Sequence, residues 1–354
     1  MKPFIKRLFQ TSVIIGLGIS LLAFSARYDS EGIAIWISFF SLIFLPVTGV
    51  NLLLLAIACL IKPKKWIALP LIALLLQAEN LSAVWQFPSN RQSESQGVPL
   101  TVVTYNASHF YWDRQYTLHE ATRYLETLQP DILCMQEAPG ADYYNPDSIR
   151  HTFRYLPYQV NSFRTDHLPL TIYSRYPIRI VKTAYYLHSM NLTLVADIRI
   201  DNQDIRVISN HLQTTSVNQY RGIITAPDKP LKYRLKAVKD LLSALKKNFE
   251  LRARQARFVR KEIEQSPYPI LVCGDFNDTP ASFAYHHIKG DLTDGFRECG
   301  KGYHYTFRQL KRLWRIDYIF HSPEFEGMTY YSPDLPYSDH NMVVWKGSLE
   351  RPRF

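Results

Sequence analysis

The sequence predicts an α/β domain preceded by an N-terminal transmembrane helical segment. Apolar residues dominate residues 1–87 of the 354-residue chain and include two long runs without charge. Beyond residue 97, short runs rich in β-branched residues and amphipathic stretches follow one another, as in a mixed α/β domain. Three of the short runs follow one another with no helix between them, which favours antiparallel pairing in a sheet.

The apolar runs set the first predicted elements. Residues 8–26 and 33–61 carry no charge, and each is long enough for a membrane span, which needs about 20 residues of low polarity. Residues 66–87 form a third, less regular run, for which a helix lying in the membrane plane is the alternative. The first run also resembles a signal peptide, because the sequence AFS near its end fits a cleavage site. We predict three transmembrane helices within an anchor of residues 1–87.

Basic residues flank these runs unevenly. Lys2, Lys6 and Arg7 precede the first run, and three lysines separate the second run from the third. Because cytoplasmic loops carry the excess of Lys and Arg, the positive-inside rule places the rest of the chain outside the cytoplasm. We expect an integral protein of the bacterial inner membrane whose main domain is extracytoplasmic.

A polar segment separates the anchor from this main domain. Residues 88–97, PSNRQSESQG, predict a linker, and the domain itself is predicted over residues 98–349. The whole chain has a formal charge of +10. This charge suits acidic partners such as phosphates, nucleic acid or anionic lipid, and it equally serves solubility.

Periodicity predicts the elements of the main domain. A helix over residues 117–131 has one apolar face, formed by Leu118, Ala121, Leu125 and Leu128. Two basic helices are predicted over residues 231–247 and 248–265. The predicted strands are, in order, PLTVVTYN, DILCMQE, LTIYSRYP, LTLVADIRI, IRVISNHL, ILVC, RIDYIFHS and MVVW.

Polar side chains stand at or beside the ends of most of these strands. The residues concerned are Asn106, Glu137, His211, Asp275, Asn277, Asp317, Asp339 and His340. Carboxylate and amide oxygens are the ligands that a hard cation such as Mg²⁺ prefers, and histidines transfer protons near neutral pH. A metal ion beside acid–base histidines suits hydrolysis of a phosphate ester. A single polar strand end is more often a turn or a helix cap, as we expect for Asp278.

Zinc is the alternative metal. Its usual ligands are His and Cys at short spacing, whereas the two candidate histidines lie far apart and Cys134 and Cys273 fall within predicted strands. We therefore expect Mg²⁺, with Mn²⁺ able to replace it.

Six short motifs occur in order along residues 98–346: TVVTYN, DILCMQE, SNHL, GDFND, RIDYIFHS and YSDH. Their order resembles that in the endonuclease/exonuclease/phosphatase superfamily, which includes deoxyribonuclease I and the neutral sphingomyelinases. The resemblance implies a four-layer α/β/β/α sandwich. In that fold two mixed sheets pack face to face between outer helices, and the site lies at one end.

The resemblance also implies which residues hold the metal. Glu137 resembles the principal Mg²⁺ ligand of the family. Asn106 resembles a direct ligand or a neighbour of one, and Asp339 resembles a further metal contact.

The other residues resemble catalytic ones. His340 resembles the histidine that handles the phosphate and the attacking water, and Asp317 resembles the carboxylate that orients this histidine. Asp275 and Asn277 resemble the pair that positions the nucleophile and binds a phosphate oxygen. His211 resembles the second histidine of the nuclease and sphingomyelinase branches.

The implied activity is hydrolysis of a phosphodiester, either in nucleic acid or in a phospholipid or sphingolipid headgroup. The membrane anchor favours a lipid, and no obligate protein partner is inferred. The alternative is a catalytically weak, membrane-anchored binding module for phosphorylated ligands. Substitution of Glu137, Asp275 or His340 would have favoured that module, and none of the three is substituted.

Two basic segments remain open to interpretation. The aromatic-basic segment, residues 303–315, leads into the RIDY strand, so we expect it to border the site. It either stacks on a base or grips a phosphate or headgroup, or it is a solvated loop. A second group of basic residues lies along one predicted helix and consists of Arg252, Arg254, Arg257, Arg260 and Lys261. It indicates a solvated helix face or contact with anionic lipid.

Overall fold

The computed structural model describes residues 3–28, 32–88, 97–162, 164–215 and 217–351. The chain forms two compact units. The first comprises Met1–Ala83, Thr215–Arg254 and Asp278–His287, and the second comprises Val84–Thr214, Gln255–Asn277 and Ile288–Phe354. This division by contacts differs from the sequence-based division into anchor, linker and main domain, which stays a prediction. Most of the predicted linker, residues 89–96, lies outside the described residues.

Nine α-helices occur in the described part of the chain. They are α1 (Pro3–Ser25), α2 (Phe44–Leu60), α3 (Ala68–Ser82), α4 (Leu118–Leu128), α5 (Pro146–Thr152), α6 (Val217–Thr225), α7 (Leu231–Glu264), α8 (Phe283–Lys289) and α9 (Gly295–Cys299). Four 3-10 helices span Gly32–Ile43, Lys64–Ile67, Ser108–Phe110 and Leu310–Arg312. The prediction of two basic helices is wrong, since both belong to α7. Neither Gly nor Pro interrupts residues 231–264, so nothing in the sequence ends the helix midway.

Two helices of the first unit are long and apolar enough to cross a membrane, Pro3–Ser25 and Ile35–Leu60. The helix α3 has 15 residues, fewer than the about 20 that a span needs, so the third span stays a prediction. Its polar residues are used inside the helical bundle. Gln77 donates to the Ser20 carbonyl at 2.8 Å, and Asn80 donates to Gln77 at 2.9 Å.

Sixteen strands occur in the described residues. They are β1 (Trp85–Gln86), β2 (Val98–Asn106), β3 (Tyr111–Trp112), β4 (Gln115–Tyr116), β5 (Ile132–Gln136), β6 (Tyr158–Asn161), β7 (Leu170–Ser174), β8 (Ile178–Tyr185), β9 (Leu192–Ile200), β10 (Gln203–His211), β11 (Ile270–Asp275), β12 (Thr293–Asp294), β13 (Gly302–Tyr303), β14 (Asp317–His321), β15 (Phe325–Tyr331) and β16 (Val343–Leu349). One six-stranded sheet has the order β15-β16-β2-β5-β7-β6, and the other has the order β12-β14-β11-β10-β9-β8. Two small ribbons pair β1 with β13 and β3 with β4.

Both large sheets are mixed. The strands β9 and β10 pair antiparallel as predicted, whereas β2 with β5 and β10 with β11 pair parallel. The antiparallel run predicted from three consecutive strands needs a correction, because β7 lies in the other sheet. The strand β8, which the sequence analysis missed, stands beside β9 instead.

The two sheets pack face to face and form the main core. Alternation along each strand sends one set of side chains inward, as with Val102 and Leu271, which share one buried cluster. The other set points outward, and Val103 packs there with Leu125 of α4. The end of α7 covers the second sheet, where Lys182 of β8 pairs with Glu262 at 2.6 Å. The predicted four-layer α/β/β/α sandwich is confirmed.

Candidate active site

Strand register brings three predicted catalytic residues into one row. His211 ends β10 and Asp275 ends β11, and the two are direct partners in the parallel ladder. Asp317 begins β14 and stands opposite Asp275 in the antiparallel ladder. Because neighbouring strands lie about 4.8 Å apart, the three side chains are held within reach of one another.

Glu137 and Asn106 stand at the matching end of the other sheet. Asn106 ends β2, and Glu137 follows β5 with a left-handed backbone (φ 47°). The amide nitrogen Nδ2 of Asn106 donates to Oε1 of Glu137 at 3.2 Å and to Oδ2 of Asp275 at 3.1 Å. Asn106 therefore joins the ends of both sheets. A positive φ at a residue other than glycine is uncommon, and such residues cluster at functional sites.

His340 is held by Asp317. Its Nδ1 lies 2.9 Å from Oδ2 of Asp317, and its Nε2 lies 3.7 Å from Oδ2 of Asp275. Burial lowers the pKa of His340, but the two carboxylates outweigh burial and raise this pKa well above its ordinary value. The ring is therefore positively charged at neutral pH, with Nε2 directed towards Asp275.

The carboxylate of Asp275 is contacted by the backbone of Asn277 and by the side chains of Asn106, His211 and His340. The backbone N–H of Asn277 donates to its Oδ1 at 2.7 Å, and Asn277 itself has φ 53°. Burial, and after it the charge of Asp317, raise the pKa of Asp275 to about 7, although His340 opposes the change. This carboxyl group can therefore exchange a proton near neutral pH.

His211 is buried between two carboxylates. Its Nε2 lies 3.7 Å from Oε1 of Glu137 and 3.7 Å from Oδ2 of Asp275. Burial lowers the pKa of His211 to about 4, even though Glu137 opposes this, so the ring is neutral at neutral pH. Its Nδ1 has no hydrogen-bond partner among the described residues.

Asp339 precedes His340 in the chain and is only partly buried. Its backbone carbonyl accepts from the N–H of Arg308 at 2.8 Å, and the Ser338 hydroxyl approaches its Oδ1 at 3.4 Å. Burial raises the pKa of Asp339, and the charge of Glu137 adds to the increase. Asp339 thus feels the field of Glu137, but no described hydrogen bond joins the two.

One group of described side chains is compact enough to hold a metal ion. Single ligand atoms of Asp275, Asp317 and His340 all lie within 4.8 Å of one another. Oδ1 of Asp317 is buried and has no hydrogen-bond partner in the described part of the chain. Carboxylate oxygens suit a hard divalent cation, so the donors present fit such an ion.

The predicted metal ligands, Asn106, Glu137 and Asp339, share no residue with this compact group. Asn106 contacts Glu137, as described above, while Asp339 is linked to Glu137 only through charge. The sequence analysis assigned Asp275, Asp317 and His340 to catalysis and not to the metal. The division of the site into ligands and catalytic groups therefore stays a prediction, as does the identity of the metal.

The sequence analysis missed His109. Its Nε2 lies 3.9 Å from Oε2 of Glu137, and its backbone N–H donates to the Glu137 carbonyl at 2.8 Å. The turn that carries it is left-handed at three successive residues, with φ of 46° at Ser108, 56° at His109 and 54° at Phe110. The imidazole stacks on Tyr143 with ring centroids 5.0 Å apart. The only signal in the sequence is the position of His109 three residues after Asn106.

The aromatic-basic segment borders the site, as expected. Phe307 bridges to His340 through the backbone, and their rings meet edge to face at 5.2 Å. Two of its cations are engaged by one carboxylate, since Arg308 and Arg312 lie 3.1 and 2.9 Å from Asp334. Its role towards a substrate stays a prediction.

The second basic group is not a uniform solvated face. Arg252 is 1% exposed and pairs with Asp278 at 2.8 Å. Arg254, by contrast, is exposed. Oδ1 of Asp278 accepts from the N–H of the next residue, Thr279, at 3.0 Å, and the turn or cap expected at Asp278 stays a prediction.

Comparison with known proteins shows the family of the chain. Residues 103–340 match the sequence profile of the Endonuclease/Exonuclease/phosphatase family. The chain therefore belongs to this family of phosphoesterases and nucleases. No curated protein sequence matches the chain.

Solved structures share the fold. The endonuclease/exonuclease/phosphatase from Beutenbergia cavernae is 17% identical with a TM-score of 0.51, and the match covers 72% of each chain. TDP2 from C. elegans is 13% identical with a TM-score of 0.50, and the match covers 72% of this chain and 77% of that one. At such low identity these likenesses show the fold alone.

Proposed function

We propose that the chain is a metal-dependent phosphodiesterase that works outside the cytoplasm at a membrane surface. One observation carries the proposal: Nδ1 of His340 is hydrogen-bonded to Asp317 while its Nε2 faces Asp275. A charged imidazole next to a carboxyl group of pKa about 7 can hold and transfer a proton near neutral pH.

Each side chain has a part in the proposed reaction. Asp275, held by Asn106 and Asn277, accepts the proton of the attacking water. His340 donates from Nε2 to a phosphoryl oxygen and stabilises the negative charge that develops there. As the water oxygen bonds to phosphorus, the bond from phosphorus to the leaving ester oxygen breaks, and this oxygen takes a proton from Asp275 or from water. Asp317 fixes the orientation of His340, as a carboxylate does for a catalytic histidine.

A divalent cation fits beside these groups. Glu137, with Asn106 and Asp339 near it, would hold the cation, which neutralises the charge of the phosphoryl group when it is bound. The oxygen donors favour Mg²⁺, with Mn²⁺ able to replace it. The neutral imidazole of His211 orients the Glu137 carboxylate and adds no charge to the site.

The proposed substrate is a phosphodiester in a lipid headgroup. The two helices that are apolar enough to cross a membrane support this choice, and so does the net charge of +10. Nucleic acid is the second candidate. It is supported by Tyr303 and Tyr305 of the aromatic-basic segment, whose stacked rings lie 6.0 Å apart and resemble a platform for bases.

Hydrolysis of bis(4-nitrophenyl) phosphate by the full chain in lipid nanodiscs tests the reaction type. We expect turnover with Mg²⁺ or Mn²⁺, loss of turnover in excess chelator, and a loss of roughly 10²–10⁴-fold for His340→Ala. His119→Ala is the matched control, because His119 is exposed on α4. Full turnover in chelator contradicts the metal, and a folded chain that binds phosphate esters without turnover favours the binding module.

The substrate is tested in the same preparation. Release of phosphorylated headgroup from sphingomyelin or phosphatidylcholine is compared with cleavage of plasmid DNA, each with His340→Ala as the blank. Cleavage of DNA alone would assign the chain to the nuclease branch.

The orientation in the membrane has its own test. An alkaline phosphatase fused after Phe354 is active only outside the cytoplasm, so we expect an active fusion. Activity of a cytoplasmic reporter at the same point, with a silent phosphatase, contradicts the extracytoplasmic placement.

A further inference from the structure

The first half of α7 exposes a stripe of large apolar side chains. Leu231, Leu235, Val238 and Leu242 are 66, 59, 37 and 42% exposed, respectively. At about 100° per residue these four positions fall within an arc of roughly 60° on one side of the helix. Large apolar side chains grouped on one exposed face indicate a binding surface.

The same stripe is buried further along the helix. Phe249 lies about five turns after Leu231 and on the same side. It is 3% exposed, and its ring meets that of Phe39 edge to face at 5.4 Å. Phe39 belongs to Ile35–Leu60, the second helix that is apolar enough to cross a membrane. The stripe is thus covered by this helix at Phe249 and open from Leu242 to Leu231.

A row of lysines borders the stripe. Lys232, Lys236 and Lys239 are exposed and lie roughly 100° round the helix from the apolar side chains. Lys246 continues the row, and its Nζ lies 5.6 Å from the centre of the Trp36 ring. Trp36 is the second residue of the candidate span and is half exposed. Tryptophan at the end of a span and lysine beside an apolar stripe are typical of the membrane–water interface.

We propose that residues 231–242 of α7 lie in the interface of a bilayer that contains anionic lipid. This proposal rests on the proposed membrane anchoring and adds a second contact with the same membrane. The apolar stripe enters the boundary between headgroups and acyl chains, and the lysines contact lipid phosphates. From Leu231 to Lys247, both included, there are six basic residues and one acidic residue, Asp240, so anionic lipid is favoured over neutral lipid.

A second copy of the chain is the other occupant that the spacing allows. The stripe has intervals of four, three and four residues, which is also the spacing of a coiled coil. Two such helices side by side would bring their lysine rows together, and like charges repel. The continuity of the stripe with the contact between Phe249 and Phe39 further favours lipid.

Spin labels on the full chain in nanodiscs test the proposal. Cys59 is the exposed cysteine and is first replaced by serine, while the other three cysteines are buried. Labels are then attached in the variants Leu235→Cys and Leu242→Cys. The matched control is Asp240→Cys, which is exposed on the opposite side of the same helix. Collision of each label with oxygen, which concentrates in lipid, is compared with collision with a water-soluble nickel chelate.

In discs with phosphatidylglycerol we expect the ratio of oxygen to nickel collisions to be several times higher at positions 235 and 242 than at position 240. Discs of phosphatidylcholine alone, or the changes Lys232→Gln, Lys236→Gln and Lys239→Gln together, should reduce this difference. A labelled variant is used only if it keeps the unfolding midpoint of the unlabelled chain. If only one of the two leucine variants meets this condition, that variant alone tests the proposal.

Two results overturn the proposal. One is equal nickel accessibility at all three positions. The other is dipolar broadening between labels that disappears on dilution with unlabelled chain, which assigns the stripe to a second copy. A chain that does not enter nanodiscs contradicts the anchoring itself, so failure of the anchor and failure of the interfacial contact are distinguishable.

Discussion

The Nδ1 atom of His340 lies 2.9 Å from Oδ2 of Asp317, although 23 residues separate the two along the chain. Asp317 begins β14 in one sheet, and His340 precedes β16 in the other. Packing of the two sheets therefore builds the pair, and each partner depends on the other. The carboxylate raises the pKa of the imidazole, and the imidazole satisfies one oxygen of a buried carboxylate.

This pairing predicts strongly non-additive kinetics. His340→Ala and Asp317→Ala should each lower kcat/KM by roughly 10²–10⁴-fold, because either change removes the oriented proton donor. The double variant should lose little more than the worse single variant, since groups that act as a unit are not additive. The four chains are compared on one diester at saturating Mg²⁺. Losses that multiply in the double variant, with all chains folded, contradict the pairing.

His109, whose imidazole lies beside Glu137, leads to a prediction about the metal. His109→Phe keeps the ring that stacks on Tyr143 but removes the Nε2 atom at 3.9 Å from Glu137. Groups around metal ligands typically change metal affinity by about 10–100-fold. We therefore expect the Mg²⁺ concentration for half-maximal turnover to rise on that scale, with a smaller effect on the saturated rate.

His119→Phe on the exposed face of α4 is the control for this change. An unchanged Mg²⁺ dependence in His109→Phe, with a lower saturated rate, would place His109 at the substrate and not at the metal.

Asn106, His211 and Asp275 were predictable because an apolar run rich in β-branched residues ends beside each of them, whereas Asp317 and His340 come at or before the start of a strand. The run at residues 270–273 is followed by Gly274 and then by Asp275 and Asn277. His109 was not predictable in the same way. Its position depends on a left-handed turn at Ser108–Phe110, and a positive φ at residues other than glycine is too uncommon for the sequence to mark it.

The sheet topology was predictable in part. The parallel pairing of β10 with β11 follows from the helix α7 between them, because parallel strands need a long crossover. The strand β8 was missed because it is an edge strand in which no residue is buried, so that no regular apolar alternation marks it. The lengths of the two helices that are apolar enough to cross a membrane were visible from composition, but the use of Gln77 inside the helical bundle was not.

The buried pair of Arg252 and Asp278 predicts a large effect on stability. Arg252→Met leaves the Asp278 carboxylate buried without the guanidinium at 2.8 Å, and breaking a buried pair costs about 3–5 kcal/mol. Arg252→Met with Asp278→Asn should recover much of this loss, because no uncompensated charge remains. Denaturant unfolding of the full chain in detergent measures both free energies. Equal stability of the single and double variants contradicts the argument.

The segment after Asp278 predicts a second effect within the same unit. The Thr279 hydroxyl donates to the Ser41 carbonyl at 2.8 Å, and Ser41 lies within a helix that is apolar enough to cross a membrane. Thr279→Val should therefore lower the free energy of unfolding by about 1 kcal/mol. Thr127→Val, which removes an exposed hydroxyl on α4, is the control and should have no comparable effect.

His304 predicts how stability changes with pH. It is 5% exposed, neither ring nitrogen has a hydrogen-bond partner among the described residues, and its ring lies 4.6 Å from that of Phe296. Burial, and after it the charge of Arg315, lower the pKa of His304 well below its ordinary value of 6.5. The unfolded chain then binds a proton below pH 6.5 that the folded chain does not bind. The free energy of unfolding should therefore fall as the pH falls from 6.5, by up to about 1.4 kcal/mol per pH unit for this group.

His304→Phe, with an aromatic ring of similar shape between Phe296 and Tyr330, should flatten this part of the profile, whereas His119→Phe should not. The measurement is the unfolding midpoint of the full chain between pH 7.5 and pH 5. A profile of His304→Phe as steep as that of the unchanged chain would mean that His304 takes up its proton without unfolding.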